Sequence, residues 1–245
     1  MINTVLFDLD GTLLSVDMEE FMHSYFQAVA ESFKGILEPK SLLANIMKAT
    51  EYMVRNTEKE KTNQRAFEEE FERLMGCDIA PLMARFEEFY RTDFKKIKSI
   101  VRHQPLCAKV VETLKNKGYE VVLATNPLFP RIAIEERIRW AGIDPDSFSL
   151  ITAFEDMHYC KPQIEYYREI LEIINKRPEQ CLMVGNDAEE DMIARILGMK
   201  TFLLDAHLIR RAKVLPPVDY MGGYSDLYNF VQMSCPTSRR GRYEA

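Results

Sequence analysis

The first apolar run of the chain, Val5-Leu6-Phe7, ends at two aspartates and a glycine turn. The run is too short for a helix and is typical of a strand that is buried on both faces. A turn is expected at Gly11. Because ligands bind outside the carboxyl ends of the strands in a parallel sheet, we expect Asp8 and Asp10 to stand at the mouth of a binding crevice.

From Val16 to about Arg102 the apolar residues follow helical spacing. The first predicted helix begins at Asp17, which together with Glu20 resembles a capping box. Three further helices are predicted at about 40–55, 62–75 and 79–101. We interpret residues 15–103 as an all-helical domain that is inserted after the first strand and can form a lid. Its charge clusters are best explained as solvated helix faces.

After Pro105 helices and apolar strands alternate, which indicates an open parallel α/β sheet. Strands are predicted at 120–125, 149–154, 181–187 and 201–205, with helices at 109–117, 130–141, 163–175, 189–197 and 226–233. Together with the first strand this gives five strands. The core is therefore predicted to comprise residues 1–14 and 104–233. Residues 234–245 are predicted to be a flexible tail, and a basic binding arm built on Arg239, Arg240 and Arg242 is the alternative.

Composition narrows the classes of partner. The 245 residues include 32 basic and 38 acidic side chains, and the net charge of -6 argues against a nucleic-acid partner. Five scattered cysteines without a Cys-x-x-Cys pair suggest reduced thiols rather than a zinc site or disulfides. The sequence shows no secretory leader and no apolar run near the roughly 18 residues of a membrane span. We therefore expect a cytoplasmic protein with no membrane partner.

Polar residues collect at the predicted strand ends. They are Asp8, Asp10, Thr125, Lys161, Asn186, Asp187 and Asp191. In a parallel sheet all of these can reach one crevice. Alternation along the strand points Asp8 and Asp10 the same way, and two close carboxylates repel unless one is protonated or a cation lies between them. A turn with two solvated aspartates is the plainer alternative for this pair.

A set of acids, one hydroxyl and one lysine suits phosphoryl transfer, which needs a nucleophile, a cation and fixed donors. A phosphate monoester with ionised Asp8 and Asp187 carries a charge of about -4, and Mg²⁺ with Lys161 returns about +3. Mg²⁺ is the expected ion because it prefers hard oxygen ligands and bridges carboxylates to phosphate. No obvious His or Cys ligand accompanies the acids.

The ordered set resembles the four motifs of the haloacid dehalogenase superfamily. These are Asp8-Leu9-Asp10-Gly11-Thr12, Thr125 after an apolar strand, Lys161-Pro162, and Val184-Gly185-Asn186-Asp187 with Asp191. The helical block between the first two motifs resembles the C1 cap of the phosphoglycolate phosphatase and β-phosphoglucomutase-like members. The resemblance implies a Rossmann-like α/β core with an inserted all-helical cap domain.

The resemblance also implies roles for these residues. Asp8 would be the nucleophile that forms an aspartyl-phosphate, and Asp10 the general acid and base. Thr125, Asn126 and Lys161 would bind the transferred phosphoryl group, and Lys161 would also keep Asp8 ionised. Mg²⁺ would be held by the Asp8 carboxylate, the backbone carbonyl of Asp10, and Asp187.

The fourth motif departs from the family pattern, because Asn186 follows Gly185 and the first acid comes one place later. The step of four residues from Asp187 to Asp191 matches the shorter spacing variant. We therefore assign Asp187 as the metal ligand. Asp191 is expected to contact the residues around the metal without binding the metal itself. In the alternative register Asn186 binds the metal through its amide, and Asp191 has a more central place in the site.

The expected function is a Mg²⁺-dependent phosphatase for a small phosphorylated metabolite. A hydrolytic dehalogenase of the same superfamily needs no metal and typically lacks the second acid, so Asp10 argues against it. A phosphomutase of the β-phosphoglucomutase type shares all the core residues and stays open. So does a phosphate-binding regulatory protein without turnover. The sequence assigns neither the substrate nor the oligomeric state.

Overall fold

The structure is a computed structural model that describes residues 1–234. Within these residues six parallel strands form one sheet: β1 (Thr4–Phe7), β2 (Glu120–Leu123), β3 (Leu150–Ile151), β4 (Cys181–Gly185), β5 (Lys200–Leu204) and β6 (Tyr220–Gly222). Their order across the sheet is β3-β2-β1-β4-β5-β6. The predicted α/β class with a parallel sheet is confirmed, and β1 occupies an interior position between β2 and β4.

The ends of these three interior strands lie at one level. Phe7 at the end of β1 is level with Leu123 of β2 and Val184 of β4. The backbone N–H of Asp8 donates to Val184 O at 2.9 Å, and that of Ala124 donates to Phe7 O at 2.7 Å. The residues that follow the three strands therefore emerge side by side at the carboxyl edge of the sheet.

Helices fill the chain between β1 and β2, as predicted. They are α1 (Met18–Ser32), α2 (Pro39–Arg55), α3 (Asn63–Met75), α4 (Ala80–Arg91) and a 3-10 helix (Asp93–Ile100), after which α5 (Pro105–Asn116) returns to the sheet. Asp17 Oδ1 accepts the backbone N–H of Glu20 at 3.0 Å and caps α1. The inserted helical cap is confirmed.

The rest of the core follows the predicted alternation. Its helices are α6 (Arg131–Trp140), α7 (Ile164–Ile173) and α8 (Tyr224–Ser234), with short 3-10 helices at Pro145–Ser147, Pro178–Gln180 and Met192–Leu197. No helix of residues 1–234 combines the length and the apolar character that crossing a bilayer requires.

Three predictions need correction. The strand β6 adds a sixth member to the sheet. It has three residues, of which Tyr220 and Met221 are exposed, so it lacks the buried apolar run by which the other strands were predicted. The helix predicted at 79–101 is broken at Thr92, whose hydroxyl donates to Glu88 O at 2.8 Å. The helix predicted at 189–197 is a shorter 3-10 helix. Of the predicted tail at 234–245, Ser234 is the last residue of α8, and residues 235–245 lie outside the described residues.

The apolar core covers both faces of the sheet. On one face Val5 and Phe7 belong to a continuous buried cluster that also contains Phe21 and Phe94 from the insertion. On the other face Leu6 packs in a second cluster with residues of β2, β4 and α7. The insertion is thus joined to the sheet by apolar contact as well as by the chain, which keeps it above the edge where Asp8 emerges.

Candidate active site

A buried lysine joins the first and fourth motifs. Lys161 Nζ donates to Asp8 Oδ1 at 2.9 Å and to Asp191 Oδ1 at 2.6 Å. The side chains of Lys161 and Asp191 are each only 1% exposed, whereas Asp8 is 13% exposed. Burial opposes the charge on Lys161, but the two carboxylates outweigh it and raise the pKa of its ammonium well above the usual value. Lys161 is therefore a fixed cation beside Asp8.

The second aspartate of the first motif pairs with a different cation. Asp10 Oδ2 accepts a hydrogen bond from Nη1 of Arg137, which lies on α6, and both side chains are buried. Burial raises the pKa of Asp10, and the Arg137 guanidinium offsets part of that effect. Asp8 and Asp10 thus have separate cationic partners. The lysine contacts the acid that is expected to be the nucleophile, and the arginine contacts the acid that is expected to move the proton.

The three polar residues of the fourth motif point in different directions. Asn186 accepts from Thr12 Oγ1 at 2.9 Å and donates to His207 O at 2.7 Å. Asp191 Oδ2 accepts the backbone N–H of Asp187 at 2.9 Å. Of these three residues Asp191 is the one that contacts Lys161, so it is the second carboxylate partner of the lysine beside Asp8.

The Asp187 carboxylate is fully engaged by the surrounding chain. Arg211 Nη1 lies 2.9 Å from Oδ1 and 2.7 Å from Oδ2 of Asp187. Oδ1 also accepts the backbone N–H groups of Glu189 and Glu190 at 3.0 and 2.9 Å. Asp187 therefore anchors the start of the following turn and holds the loop that carries Arg211.

Two glycines allow the close approach of these motifs. Gly11 has φ +80°, and a Cβ there would stand 2.4 Å from Asn186 Nδ2. A Cβ on Gly185 would stand 2.0 Å from Asp191 Oδ2. Any side chain at either position would displace a polar group of the fourth motif.

The second motif is held in place through its backbone and its amide. Thr125 is buried, and its carbonyl accepts from Thr152 Oγ1 at 2.7 Å and from Tyr166 OH at 2.8 Å. Asn126 Oδ1 accepts the backbone N–H of Lys161 at 3.2 Å. The phosphate-binding residues predicted from the second and third motifs are therefore brought together.

The donors around Asp8 fit a hard divalent cation in part. Carboxylate and backbone carbonyl oxygens are the ligands that Mg²⁺ prefers, and Asp8 still offers its Oδ2 beside the Lys161 contact. Within residues 1–234 no group of three or more His, Cys, Asp or Glu side chains is arranged to hold a metal ion. The expected site needs only two carboxylates and one carbonyl. However, the Asp187 carboxylate must first release Arg211.

Two site residues were missed in the sequence. Arg137 did carry a signal, because it falls on the buried face of its helix with Ala133, Ile134 and Ile138, where a charge is unusual. Arg211 carried none, since the segment between β5 and β6 has no periodic pattern. Both arginines bind acids of the predicted site.

This geometry can be compared with known proteins. Residues 2–196 match the sequence profile of the haloacid dehalogenase-like hydrolases, which covers most of the chain and every motif residue described above. The chain belongs to this family. As a haloacid dehalogenase-like hydrolase it is an enzyme of the hydrolase class.

Relatives of this haloacid dehalogenase-like hydrolase are distant but extend over nearly the full chain. Pyrophosphatase PpaX of Bacillus mycoides (strain KBAB4) is 22% identical over 233 residues, which are 95% of this chain and 94% of that protein. The crystal structure of a HAD phosphatase from Thermococcus onnurineus superposes with a TM-score of 0.62 at 18% identity and covers 96% of this chain and 100% of its own.

A third relative bears on the metal. The HAD-hydrolase YfnB from Bacillus subtilis, whose structure holds magnesium, superposes with a TM-score of 0.56 at 19% identity and covers 95% of this chain and 99% of its own. Magnesium is therefore bound by members of this fold. At these identities the two structures support the fold of the chain and not its substrate.

Proposed function

We propose that the chain is a Mg²⁺-dependent phosphatase that hydrolyses a small phosphorylated metabolite through an aspartyl-phosphate on Asp8. The observation that carries the proposal is the fully buried Lys161, which lies between Asp8 and Asp191 at 2.9 and 2.6 Å. A permanent cation at that place pairs with the Asp8 carboxylate and offsets the charge of an incoming phosphoryl group.

The neighbouring residues complete the reaction. Thr125 and Asn126 follow β2 and would bind the equatorial phosphoryl oxygens with Lys161. Asp10 would protonate the leaving oxygen and then accept a proton from the attacking water. Burial raises the pKa of Asp10, so its protonated form persists to higher pH than for an exposed aspartate. This favours its role as an acid in the first step.

Mg²⁺ would be held by the Asp8 carboxylate, the Asp10 backbone carbonyl and Asp187, and it would supply positive charge opposite the phosphoryl oxygens. Asp187 would act as a ligand once Arg211 Nη1, which contacts both of its carboxylate oxygens, moves away. In the alternative register the Asn186 amide takes this place, which requires loss of its contact with Thr12. We retain Asp187 because Mg²⁺ favours carboxylates.

The inserted helices would act as the cap that selects the substrate and excludes water during transfer. We propose residues 15–103 as its bounds and a cytoplasmic location for the enzyme. The reduced state of the cysteines supports the proposed location, since Cys107, Cys160 and Cys181 of the core are free and buried. Burial raises the pKa of the Cys107 thiol to about 12. Such thiols are compatible with a reducing compartment.

The test is a screen for phosphate release over sugar phosphates, phosphoglycolate, nucleotides, pyridoxal phosphate and inorganic pyrophosphate, with and without Mg²⁺. Pyrophosphate is included because PpaX is named a pyrophosphatase. We expect Mg²⁺-dependent release by the native chain and by the exposed control Asp146→Asn, and none by Asp8→Asn. Activity that persists in Asp8→Asn would refute the mechanism.

The same screen separates the alternatives. A phosphomutase would release little phosphate and would need a sugar bisphosphate primer to convert one sugar phosphate into its isomer. A phosphate-binding regulatory protein would bind the ligand without turnover. Mass spectrometry of acid-quenched enzyme checks the covalent intermediate, since an aspartyl-phosphate adds a phosphoryl group to the peptide that contains Asp8 and this gain is absent from Asp8→Asn.

A further inference from the structure

A buried arginine holds one oxygen of Asp10 and leaves the other one open. Arg137 is 1% exposed and Asp10 is 9% exposed. Arg137 Nη1 donates to Asp10 Oδ2, whereas Asp10 Oδ1 and Arg137 Nη2 are buried without a hydrogen-bond partner. An arginine and a carboxylate commonly form two parallel hydrogen bonds, which would occupy both oxygens. Here the single contact fixes the carboxylate and spares Oδ1.

Aromatic rings from both domains hold the guanidinium. The Arg137 guanidinium carbon lies 4.5 Å from the ring centroid of Phe129 and 5.5 Å from that of Phe21. Its Nε donates to Ala133 O at 3.3 Å. Phe129 follows the phosphate-binding segment of the core, and Phe21 belongs to α1 of the cap. The position of the guanidinium therefore depends on the core and on the cap together.

A purely structural role accounts poorly for this arrangement. A buried ion pair can often be replaced by apolar residues without loss of stability, and each unpaired polar atom in a buried pair carries a desolvation cost. The chain keeps a charged pair with two such atoms, and one member of the pair is Asp10, the acid of the proposed reaction. The unpaired Oδ1 is the one oxygen of Asp10 that is left for proton transfer.

We propose that Arg137 is a positioning residue, which holds Asp10 through Oδ2 so that Oδ1 exchanges the proton in both half-reactions. The inference rests on the proposed phosphatase function. In the first half-reaction Asp8 forms a bond to phosphorus, the bond to the leaving oxygen breaks, and the proton of Asp10 passes to that oxygen. In the second half-reaction Asp10 takes a proton from water as the water oxygen displaces Asp8 from phosphorus.

Leaving-group dependence tests the inference. Arg137→Met keeps an unbranched apolar side chain and removes the donor, and Arg139→Met is the matched control on the exposed face of the same helix. With an alkyl phosphate such as glycerol phosphate, whose leaving group must be protonated, we expect Arg137→Met to lower kcat by about 100-fold with little change in KM.

The expected result with p-nitrophenyl phosphate is different, because nitrophenolate leaves without a proton. Asp8 is then phosphorylated at nearly the native rate, but water attack still needs Asp10. Arg137→Met should therefore release about one equivalent of nitrophenolate per enzyme in a fast phase and then turn over slowly. A merely structural role would lower both rates alike and give no burst.

Arg137→Lys covers the case in which Arg137→Met does not fold. It keeps the cation but loses the planar contact with the two rings. We therefore expect the same difference in kinetics between the two substrates, but a smaller one. Equal loss on both substrates, or native kinetics, in a folded Arg137 variant would overturn the inference while leaving the proposed function intact. If the native chain releases no phosphate and forms no phosphorylated Asp8, the proposed function fails and the inference with it.

Discussion

Close backbone approach at Gly185 lets Asp191 support Lys161. A Cβ at this position would stand 2.0 Å from Asp191 Oδ2 and 2.3 Å from its Cγ. The carboxylate cannot remain there once a methyl group is added, and Asp191 is the partner that lies 2.6 Å from Lys161 Nζ. The absence of a side chain at Gly185 therefore determines the position of Lys161 beside Asp8.

We expect Gly185→Ala to lower the free energy of unfolding by about 1–3 kcal/mol through overpacking. It should also lower phosphatase activity, because Lys161 loses its fixed position. Gly223→Ala is the matched control, since its Cβ would meet Asp205 and Asp226 only at ordinary distances of 3.5 and 3.8 Å. Denaturant unfolding and steady-state kinetics measure both effects. Native behaviour of Gly185→Ala would contradict the packing described here.

The proposed third Mg²⁺ ligand can be tested by changing the charges of the fourth motif and of Arg211. If Asp187 binds the metal, Asp187→Asn should raise the half-saturating Mg²⁺ concentration by about tenfold or more, because a carboxylate ligand is lost. Arg211→Gln should lower it, since Arg211 no longer competes for Asp187. Isothermal titration with Mg²⁺ measures both values without turnover. A large effect of Asn186→Ala, with none for Asp187→Asn, would establish the alternative register.

Sequence reasoning located the acids and the lysine because each follows an apolar strand or precedes a helix, so that the topology of a parallel sheet already places them together. It could not assign their partners. The contact of Asp10 with Arg137 joins residues 127 positions apart in the chain. Such a contact depends on how α6 packs below the sheet edge, which no local pattern records.

Among the elements, the 3-10 helix Asp93–Ile100 forms a main contact of the cap with the core. Its Phe94 is fully buried and packs against the rings of Phe21, Tyr25 and Tyr90 within the cap. It also stacks on Trp140 of α6, with ring centroids 5.1 Å apart. One side chain thus connects the inserted helices with the helix that carries Arg137.

Phe94→Ala should lower the free energy of unfolding by about 3–5 kcal/mol, because a buried aromatic ring is removed. Trp140 is the single tryptophan of the chain. Its fluorescence therefore reports this contact, and we expect a red shift as water reaches the indole. Phe230→Ala is the control, because that ring contacts Phe202 and Tyr220 in tilted arrangements near β6. An unchanged emission spectrum in Phe94→Ala would contradict the stacking.

The start of the 3-10 helix Asp93–Ile100 is a feature that the sequence did not predict. The apolar spacing continues through Thr92 as if one helix ran from 79 to 101, whereas the backbone leaves helical geometry there with φ -122° and ψ -81°, and the Thr92 hydroxyl donates back to Glu88 O. Strand β6 was missed for a related reason. It has three residues at the edge of the sheet, two of them exposed, so neither alternation nor an apolar run distinguishes it from a loop.

At the scale of the whole molecule, a second contact joins the cap to the core near the third motif. The backbone N–H of Asn63 donates to Met157 O and that of Gln64 donates to Phe154 O, both at 2.8 Å. Gln163 Nε2 donates to Val54 O at 2.5 Å and to Asn56 O at 3.2 Å. These bonds tie the α2–α3 connection to the segment that carries Lys161. This connection is therefore an attachment of the cap to the core that is separate from the one through Phe94.

Removing the Gln163 contact should loosen the cap at one attachment only. We expect Gln163→Ala to speed amide hydrogen exchange in residues 56–66 by about 30-fold, because it removes two hydrogen bonds that each contribute about 1 kcal/mol to local stability. Exchange in α4 should stay unchanged, since α4 packs beside the Phe94 attachment. Gln180→Ala is the control, because it removes a side chain that accepts the backbone N–H of Arg177 within the core. Uniform acceleration across the whole cap would show instead that the cap opens as one body, and the two attachments would then not be independent.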